Sequence, residues 1–569
     1  MASATLARLR ATLGAVAMVL APQAVLADFS TIDLFELRTA LRAIESDVTE
    51  GIDAPVDVPG LWASLPFDTL TGDWTVAQTV VVPAAPTTGS FGISSNIEPT
   101  PSAIADGGLF SLQLSQSAAA ALPDRGSAPL PAPTFGANAS FGAKAKSTDT
   151  RSTPQDVNIA NFRLMLASLS QTYTGQNAMA VVYAQGPRGP MAISVRAGTV
   201  TLADIRSYAT ALGMPPRSDG TMTAPVIIWP GATLRLNPGD RLALARDTGA
   251  FVLSMGTLDI DRATIEVVGE ENPYTPSFVP FVTVGAGGSL TMKGATLRGL
   301  GFGHTAKFTG LSVAGNLLTR STGKIVIRDS LFDGLKSVSI AGVSGAEISG
   351  NTFTQARDNT LNLSNAPGAK VVDNLFTGGS HTNAIRIEQG SVNSVISRNI
   401  FVFGHRVAVL VTGRSDRVKV SDNLVWKRGG AGVKFLNANC GLAETNVILD
   451  NRQKGIEVRK SNGVVVRGNL IAGNGSGGLW VSAQKHDALS SLSDNILVEN
   501  GSGLAAATGA GILLHGNDFS RQLPRLLDGD IARLTRNIVQ DLRGEAYLQF
   551  KSGNATELAE MTDLCGSNL

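Results

Sequence analysis

A short sequence pattern repeats in the second half of the chain, and its central position often holds a charged side chain and once a tryptophan. The pattern is a small residue followed by apolar-x-apolar, as in "AIRIE", "GVKFL", "GIEVR", "GLWVS" and "GILLH". The central positions form a first series: Asn362, Arg386, Leu410, Lys434, Glu457, Trp480 and Leu513. The positions two residues later form a second series: Ser364, Glu388, Thr412, Leu436, Arg459, Ser482 and His515. Because alternate residues of a strand point to the same side, both series are predicted to face outward together.

Several cations therefore share one predicted surface on a protein whose formal net charge is only +1. This arrangement suits an acidic polymer, with Arg406, Lys434 and Arg459 as predicted binding residues and Trp480 stacking on a sugar ring. Neighbouring turns carry further basic side chains: His381, His405, Arg406, Arg414 and Arg417. The alternative interpretation is an ordinary solvated face on which arginine and glutamate pair weakly.

The residue types give little support to other chemistries. No His/Cys cluster and no group of aspartates with metal-ligand spacing occurs, so neither a metal nor a cofactor is expected. No phosphate-binding glycine motif and no Gly-x-Ser-x-Gly sequence is present. The balanced charge also argues against a general nucleic-acid or membrane-surface binder.

Asparagines mark a repeat in the same region, at intervals of 23 to 26 residues: Asn351, Asn374, Asn399, Asn423, Asn446, Asn469 and Asn495. A repeat of this length with two or three short strands predicts one coil of a parallel β-helix, in which like residues stack about 4.8 Å apart. Asparagine tolerates left-handed backbone angles at turns, and stacked amides can hydrogen-bond one another, so this column is expected to be structural. Leu361 and Leu363 are predicted to point into the core.

Changes in composition divide the chain into five predicted segments. These are a signal peptide (1–27), a helical and Pro/Ala/Ser-rich low-complexity region (28–155), a small α/β cap (156–220), the β-helix (221–540) and a C-terminal cap (541–569). The stretches "STIDLFELRTALRAIESDV" and "NIANFRLMLASLS" have helical spacing, and Ser30 or Thr31 is expected to cap the first. The stretch "AMAVVYA" is typical of a strand.

The N-terminus predicts export. A basic stretch, "MASATLARLR", precedes a short apolar stretch, "ATLGAVAMVLAP", and Val25 and Ala27 occupy the small-residue positions before a cleavage point. No later stretch is long and apolar enough to span a bilayer, so no membrane span is expected after cleavage. An oxidising compartment permits a disulfide between Cys440 and Cys565, but their spacing does not establish one.

An ordered set of segments resembles the periplasmic mannuronan C5-epimerase family of alginate biosynthesis. It includes "GTVTLADI" (198–205), "WPGATLRL" (229–236), "PFVTVGAGGSLTMKGATLRGLGF" (280–302) and "GLSVAG" (310–315), within roughly residues 155–520. The resemblance implies an all-β fold, a right-handed parallel β-helix with a smaller N-terminal mixed region. It also implies a periplasmic protein that acts on a polyuronate after polymerisation, with other exopolysaccharide export proteins as further partners.

The chain departs from that family where the family carries an Asp-Pro-His-Asp motif. Asn362 falls at the first Asp and Ser364 at the His, which serves as the family's base, so the chain resembles a divergent member of that family. One coil later, Glu388 or Gln389 falls where the family has an arginine that neutralises the substrate carboxylate. Removing the C5 proton of a uronate needs a base, an acid and a positive group beside the carboxylate.

Relocated groups are therefore the candidate catalytic residues. Arg386 is the candidate to neutralise the carboxylate, and His381, His405 and Glu388 are candidates for a displaced base. Three interpretations stay open: a C5-epimerase-like or lyase-like enzyme, a non-catalytic relative that binds or guides an acidic exopolysaccharide during export, and a structural protein unrelated to sugars. The sequence does not identify the polysaccharide.

Overall fold

The computed structural model describes residues 32–66, 156–163, 166, 177–285, 287–303, 307–315, 323–378, 381–560 and 564–565. These residues belong to one of the two compact units of the chain. The predicted signal peptide (1–27) and residues 67–155 of the predicted low-complexity region lie outside them.

Three short strands make one coil, and successive coils pair in parallel. Val226–Ile228, Ala232–Leu236 and Arg241–Ala245 form one such coil, and Val252–Ser254 begins the next by pairing with Val226–Ile228. The three stacked rows of strands are called sheets A, B and C, in the order in which the chain visits them. The predicted parallel β-helix is therefore present.

The strands of sheet A are Asp156–Asn161, Met191–Thr201, Val226–Ile228, Val252–Ser254, Val282–Gly285, Gly310–Ala314, Ser337–Ala341, Leu361–Ser364, Ile385–Glu388, Val409–Thr412, Val433–Leu436, Lys454–Arg459, Gly477–Ser482, Leu504–Ala507 and Leu527–Gly529. Those of sheet B, which also takes the second half of Met191–Thr201, are Ala232–Leu236, Thr257–Asp261, Ser289–Lys293, Ile325–Arg328, Glu347–Ser349, Lys370–Val372, Val395–Ser397, Lys419–Ser421, Leu442–Glu444, Val464–Arg467, Leu489–Ser493, Gly511–His515, Leu548–Lys551 and Asn554–Glu557. Those of sheet C are Arg241–Ala245, Thr264–Val268, Thr296–Arg298, Leu331–Asp333, Thr352–Thr354, Leu375–Thr377, Ile400–Val402, Leu424–Trp426, Val447–Leu449, Leu470–Ala472, Ile496–Val498 and Asp518–Arg521.

The repeated asparagines stack at the corner between sheets B and C, as predicted. Each is buried, and its amide group bonds the asparagine of the next coil. The Nδ2 of Asn399, for example, donates to Oδ1 of Asn423 at 3.0 Å and to the carbonyl of Val371 at 2.9 Å. The column ends at Asn517, whose Oδ1 accepts from Nδ2 of Asn495 at 2.9 Å. These bonds satisfy buried backbone groups that the turn would otherwise leave unpaired.

The backbone angles at this corner correct one expectation. The left-handed residue is the one before each asparagine, rather than the asparagine itself. Positive φ occurs at Asp373, Arg398, Asp422, Thr445 and Asp494, and at two further places a glycine takes the position. The asparagine is therefore required for its amide bonds and not for its backbone freedom.

Apolar residues fill the inside of the coils in layers. Phe332, Phe353, Phe376 and Phe401 of sheet C stack with ring centroids 4.7 to 4.9 Å apart. Leu361 and Leu363 are fully buried in the same core, as expected. Stacking like residues repeats one good packing arrangement from coil to coil.

The N-terminal end differs from two local predictions. "AMAVVYA" forms a helix, Asn177–Tyr183, rather than a strand, because Val181 and Val182 pack on a cluster of buried phenylalanines. The first four residues of "NIANFRLMLASLS" (158–161) belong to the strand Asp156–Asn161, antiparallel to Met191–Thr201, because pairing overrides their helical spacing. Arg163 and Leu166, further along the same stretch, are helical as expected. A second helix, Leu202–Ala211, is capped by Thr201 and Asp204. Parallel pairing already begins at Met191–Thr201, earlier than the expected boundary at residue 221.

A helix near the N-terminus covers the outer face of sheet C. Leu34–Glu50 is capped by Asp33, whereas the expected caps Ser30 and Thr31 lie outside the described residues. Leu37 and Leu41 of this helix are fully buried against sheet C, and Arg38 pairs with Asp450 at 2.8 Å. A short helix, Val58–Ala63, follows it. Sheet C is therefore occupied, and its outer face is not free to bind a polymer there.

The C-terminal end closes the coils. Leu548–Lys551 pairs antiparallel with Gly511–His515. Asn554–Glu557 then pairs antiparallel with Leu548–Lys551, and this hairpin covers the edge of sheet B. Before this hairpin come a 3-10 turn, Ala532–Leu534, and a helix, Thr535–Gln540. A second 3-10 turn, Gly186–Arg188, lies at the other end. Cys440 and Cys565 form a disulfide that joins the C-terminal segment to the coils.

Candidate functional site

The strand register places the first outward series on sheet A, with one exception. Asn362, Arg386, Leu410, Lys434, Glu457 and Trp480 are successive cross-strand neighbours. We call this line of residues the central row. After Trp480 the row continues with Ala505 and not with the predicted Leu513.

The second outward series has the same exception. Thr412, Leu436, Arg459 and Ser482 are successive neighbours, and Ala507 follows them instead of His515. Leu513 and His515 lie on sheet B, opposite Ser491 and Ser493. The intervening strand, Leu504–Ala507, has the small Ala506 where the repeated pattern has a larger apolar residue, so the pattern matched the next strand instead.

Arg386 and Glu388 form an ion pair on the outer face of sheet A. They are two residues apart on one strand, and Nε of Arg386 donates to Oε2 of Glu388 at 2.7 Å. Their side chains are 37% and 19% exposed, so a ligand can reach both. On either side in the central row stand Asn362 and Leu410. The pair combines a fixed cation with a neighbouring carboxylate.

The resemblance places a base at Ser364, which is neutral, and an arginine at Glu388 or Gln389, neither of which is positively charged. Ser364 points outward, and its hydroxyl donates to Oε1 of Gln389 at 2.8 Å. A serine bonded to an amide offers neither a base nor a positive charge. Any proton-transfer chemistry on this face must therefore use other side chains.

Further along the central row, a nearly buried carboxylate lies between two lysines. The side chain of Glu457 is 5% exposed, and its Oε2 lies 3.2 Å from Nζ of Lys434 and 3.3 Å from Nζ of Lys454. The Lys454 ammonium also lies 4.3 Å from the ring centroid of Trp480. This Lys–Glu–Lys–Trp cluster carries a net positive charge beside an indole face, which suits an anionic sugar.

The two histidines meet at the corner between sheets C and A. His381 and His405 lie in successive coils, both exposed, with ring centroids 4.8 Å apart. Among the described residues, no hydrogen bond or ion pair joins them to Arg386 or Glu388. The structure thus brings the predicted catalytic residues together as two pairs rather than one cluster.

A buried arginine holds the turn that carries His405. The guanidinium of Arg428, 2% exposed, donates to the carbonyls of Arg406 at 3.0 Å and Val407 at 3.2 Å, and to that of Phe403. Burial lowers the pKa of Arg428 to about 10, which leaves it charged at neutral pH. Arg428 therefore acts on this turn by positioning it.

Two predicted binding residues stand alone on the surface. Arg406 and Arg459 are exposed, and within the described residues neither enters an ion pair. Sequence reasoning missed the roles of Lys454, Glu457 and Arg428. The signal for Lys454 was its place three residues before Glu457, whereas the contacts of Arg428 depend on turns of a neighbouring coil and leave no local pattern.

A cavity of about 550 Å³ lies on sheet B instead of sheet A. It is lined by Arg235, Asp259, Asp261 and Arg262 among others. Arg235 pairs with Asp259 at 3.1 Å, and Arg262 pairs with Asp261 at 3.2 Å. Lys293 also lines the cavity, so the lining holds three cations and two carboxylates.

The described residues form neither a metal-binding cluster nor a membrane-spanning helix. No group of three or more His, Cys, Asp and Glu side chains in the described ranges lies close enough to hold a metal ion. In that same part of the chain, no helix is long and apolar enough to cross a membrane.

Comparisons with known proteins agree with this architecture. The family model "Right handed beta helix region" matches residues 304–441 and 336–519. The chain is a right-handed parallel β-helix. No curated protein sequence matches it.

Two solved structures show the same fold. The periplasmic alginate epimerase AlgG is 20% identical, over 66% of this chain and 93% of that chain, with a TM-score of 0.52. A double mutant of the same epimerase is 19% identical, over 67% and 95% of the two chains, with a TM-score of 0.53. At this level of sequence identity, the similarity to these structures shows a shared fold, and the right-handed β-helix predicted from the sequence agrees with it.

Proposed function

We propose that the protein is exported to the periplasm and acts on an acidic polysaccharide, a polyuronate, by C5-epimerase-like chemistry. The observation that carries this proposal is the Arg386–Glu388 pair, set in a row of cationic side chains on sheet A. The likeness of the fold to a periplasmic alginate epimerase supports the choice of substrate class and compartment. Other proteins of exopolysaccharide export are proposed as partners.

The polymer is proposed to lie along the axis of the coils. Arg386, Lys434 and the Lys454–Trp480 contact follow one another on that axis, with neighbouring coils about 4.8 Å apart. A polyuronate also presents its carboxylates at regular intervals. Arg406 and Arg459, exposed and without ion pairs among the described residues, are free to take further carboxylates at the edges.

At the proposed reacting sugar, the substrate carboxylate competes with Glu388 for the guanidinium of Arg386. Its binding releases the Glu388 carboxylate next to C5, the carbon bonded to the substrate carboxyl group. Glu388 then takes the C5 proton, and the electron pair of the C–H bond moves into the carboxyl group, where Arg386 stabilises the charge. A protonated His381 or His405 returns a proton to the opposite face. Loss of the O4 substituent instead of reprotonation would make the same site a lyase.

A non-catalytic role is the second candidate function, and one observation favours it. Neutral Ser364, bonded to Gln389, stands where the resemblance places a base, and neither Glu388 nor Gln389 supplies the positive charge of the arginine that it places there. A protein that only binds or guides the polymer needs the row of cations and needs no base. Both candidates predict salt-sensitive binding to sheet A, and they differ in turnover.

Proton NMR of candidate polyuronates after incubation with the purified protein separates the two. It reports epimerisation and elimination in one spectrum. The enzyme proposal predicts new uronate signals with the wild-type protein and none with Arg386→Ala. Binding without any new signal supports the non-catalytic candidate, and neither binding nor turnover with several polyuronates removes the polysaccharide assignment.

A further inference from the structure

The central row continues upstream of Arg386, and there its members become buried. Asn362, the neighbour of Arg386, is still partly exposed. These positions alternate with residues that point into the core, so their side chains stand on the outer face of sheet A. Beyond Asn362 every member is buried, in this order along the row: Ser339, Ser312, Thr283, Leu253, Ile227 and Ser194. The outer face of sheet A is therefore covered at this end of the coils.

Apolar residues from other segments form this cover. Ile227 and Leu253 belong to a cluster of buried apolar residues that is separate from the core inside the coils. The helix Asn177–Tyr183 contributes Val181 and Val182 to that cluster. The loops that precede two later strands of sheet A contribute four aromatic rings: Phe278, Phe281, Phe302 and Phe308. The cover is therefore a packed part of the fold.

The backbone of one of these loops is hydrogen-bonded to the row itself. The hydroxyl of Thr283 donates to the carbonyl of Lys307, and the hydroxyl of Ser312 accepts from the N–H of Thr309 at 3.2 Å. Gly301, at a φ of +99°, lets the loop close on itself, because a Cβ there would collide with the backbone of Thr309. Polar bonds as well as apolar packing thus hold the cover over the row as far as Ser312.

The downstream end of the row has no such cover among the described residues. From Asn362 the row runs over seven coil steps to Asp528, about 34 Å at about 4.8 Å per coil. No member from Arg386 to Asp528 belongs to an apolar cluster of the described chain. Ala505 is buried, but its short side chain is flanked in the row by Trp480 and Asp528. The side chain of Asp528 is 36% exposed, so the row stays accessible at this end.

The row is thus closed at one end and accessible at the other. A chain bound through its interior has to continue past both ends of the row, and the cover stands in its way beyond Asn362. A chain that ends against the cover meets no such obstacle and still reaches Arg386 and Lys434. We propose that sheet A binds the terminus of an acidic polysaccharide chain and not its interior.

This inference rests on the proposed function and deepens it, because it names the part of the polymer that is recognised. Arg386 stands one coil from Asn362, the last accessible position before the cover. Any turnover at the Arg386–Glu388 pair therefore falls on the last units of the chain.

Calorimetric titration of the whole protein with oligomannuronates of two defined lengths tests terminal binding. The shorter oligomer just spans the accessible row, and the longer one is several times that length. Terminal binding predicts one protein per chain and the same molar affinity at both lengths, because each chain has a single terminus of the right polarity. Interior binding predicts a protein-to-chain ratio that rises with length, because a longer chain offers more sites.

Bulky aromatic caps on the longer oligomer provide the matched comparison. One sample carries the cap at the reducing end, one at the non-reducing end and one at both. Terminal binding predicts that one single cap and the double cap weaken binding by about tenfold or more, whereas the other single cap leaves it unchanged. The effective single cap identifies the terminus that lies against the cover.

The outcomes separate terminal recognition from the proposed function. A doubly capped chain that binds as tightly as the uncapped one overturns terminal recognition, as does a protein-to-chain ratio that rises with length. In both cases polyuronate binding itself stands. If no uncapped oligomannuronate or longer polyuronate binds, the proposed function fails, and the inference falls with it.

Discussion

Nε of Arg386 donates a hydrogen bond to Oε2 of Glu388, two residues further along the same strand, at 2.7 Å. The two side chains neutralise each other while the face is empty. A carboxylate ligand that takes over the guanidinium leaves Glu388 unpaired at the moment a base is needed. In the proposed mechanism, the pair therefore links binding of an acid group to the release of a base.

Binding of an acidic polymer should weaken as salt rises, because the contacts are partly exposed ion pairs that counter-ions screen. Lys434→Ala should lower the affinity several-fold without unfolding the protein, since Lys454 remains to pair with Glu457. Affinity measured by titration at low and high salt checks both statements. Lys370→Ala on sheet B is the matched control, and an affinity independent of salt would argue against the groove.

Asn423→Leu should destabilise the fold by at least about 3 kcal/mol. The Oδ1 of Asn423 accepts from the backbone and the amide of Asn399, and its Nδ2 donates to the carbonyl of Ile396 at 2.9 Å. Each buried group left unpaired costs about 1–3 kcal/mol. Denaturant unfolding measures the loss, with the exposed Asn554→Leu as the control. Equal stability of the two variants would remove the structural role given to the asparagine column.

Leu363 and Ser364 should differ sharply in their effects on stability. Leu363→Ala opens a cavity in the stacked core and should cost about 2–5 kcal/mol. Ser364→Ala removes one hydrogen bond, to Gln389, and should cost about 1 kcal/mol or less. Denaturant midpoints of the two variants test this contrast. A larger loss at Ser364 would mean that its hydroxyl supports more than the contact with Gln389.

Glu444 should contribute to stability at neutral pH and lose that contribution in acid. Burial alone would raise the pKa of this carboxyl, but Lys419 and Arg467 outweigh burial and hold the pKa below its ordinary value near 4.5. The unfolded chain therefore takes up this proton first as the pH falls, and the stabilisation disappears below about pH 4.5. Glu444→Gln should lose stability less steeply than the wild type between pH 6 and 3, by denaturant unfolding. An equal slope would contradict the assignment.

The sequence was sufficient to predict the coil register and the stacked asparagines. Both depend on a period of 23 to 26 residues. Within one coil, the alternation of Leu361 and Leu363 with polar residues shows which side chains point inward. Prediction from the sequence failed where a core residue is small or where an apolar run fits both a helix and a strand. Ala506, at the second apolar position of its strand, carries too little apolar signal to mark the pattern, and the apolar run at Asn177–Tyr183 suits a helix as well as a strand.

The candidate site was predictable only as a surface. The register brought Arg386, Lys434 and Trp480 into one row, because like positions stack in a β-helix. The pairing of Glu457 with two lysines depends on side-chain contacts across coils, which the strand pattern does not reveal. The catalytic roles of Arg386, His381, Glu388 and His405 stay predictions, as do the binding roles of Arg406, Lys434, Arg459 and Trp480.

Deuterium exchange at C5 tests the central claim most directly. Polymannuronate incubated with the protein in D₂O should lose its C5 proton signal and gain deuterium at that carbon, as followed by proton NMR. Arg386→Ala and Glu388→Gln should abolish the exchange, whereas Lys370→Ala should not alter it. Exchange that persists in both site variants, or its absence with a wild-type protein that binds the polymer, would contradict proton abstraction at the Arg386–Glu388 pair.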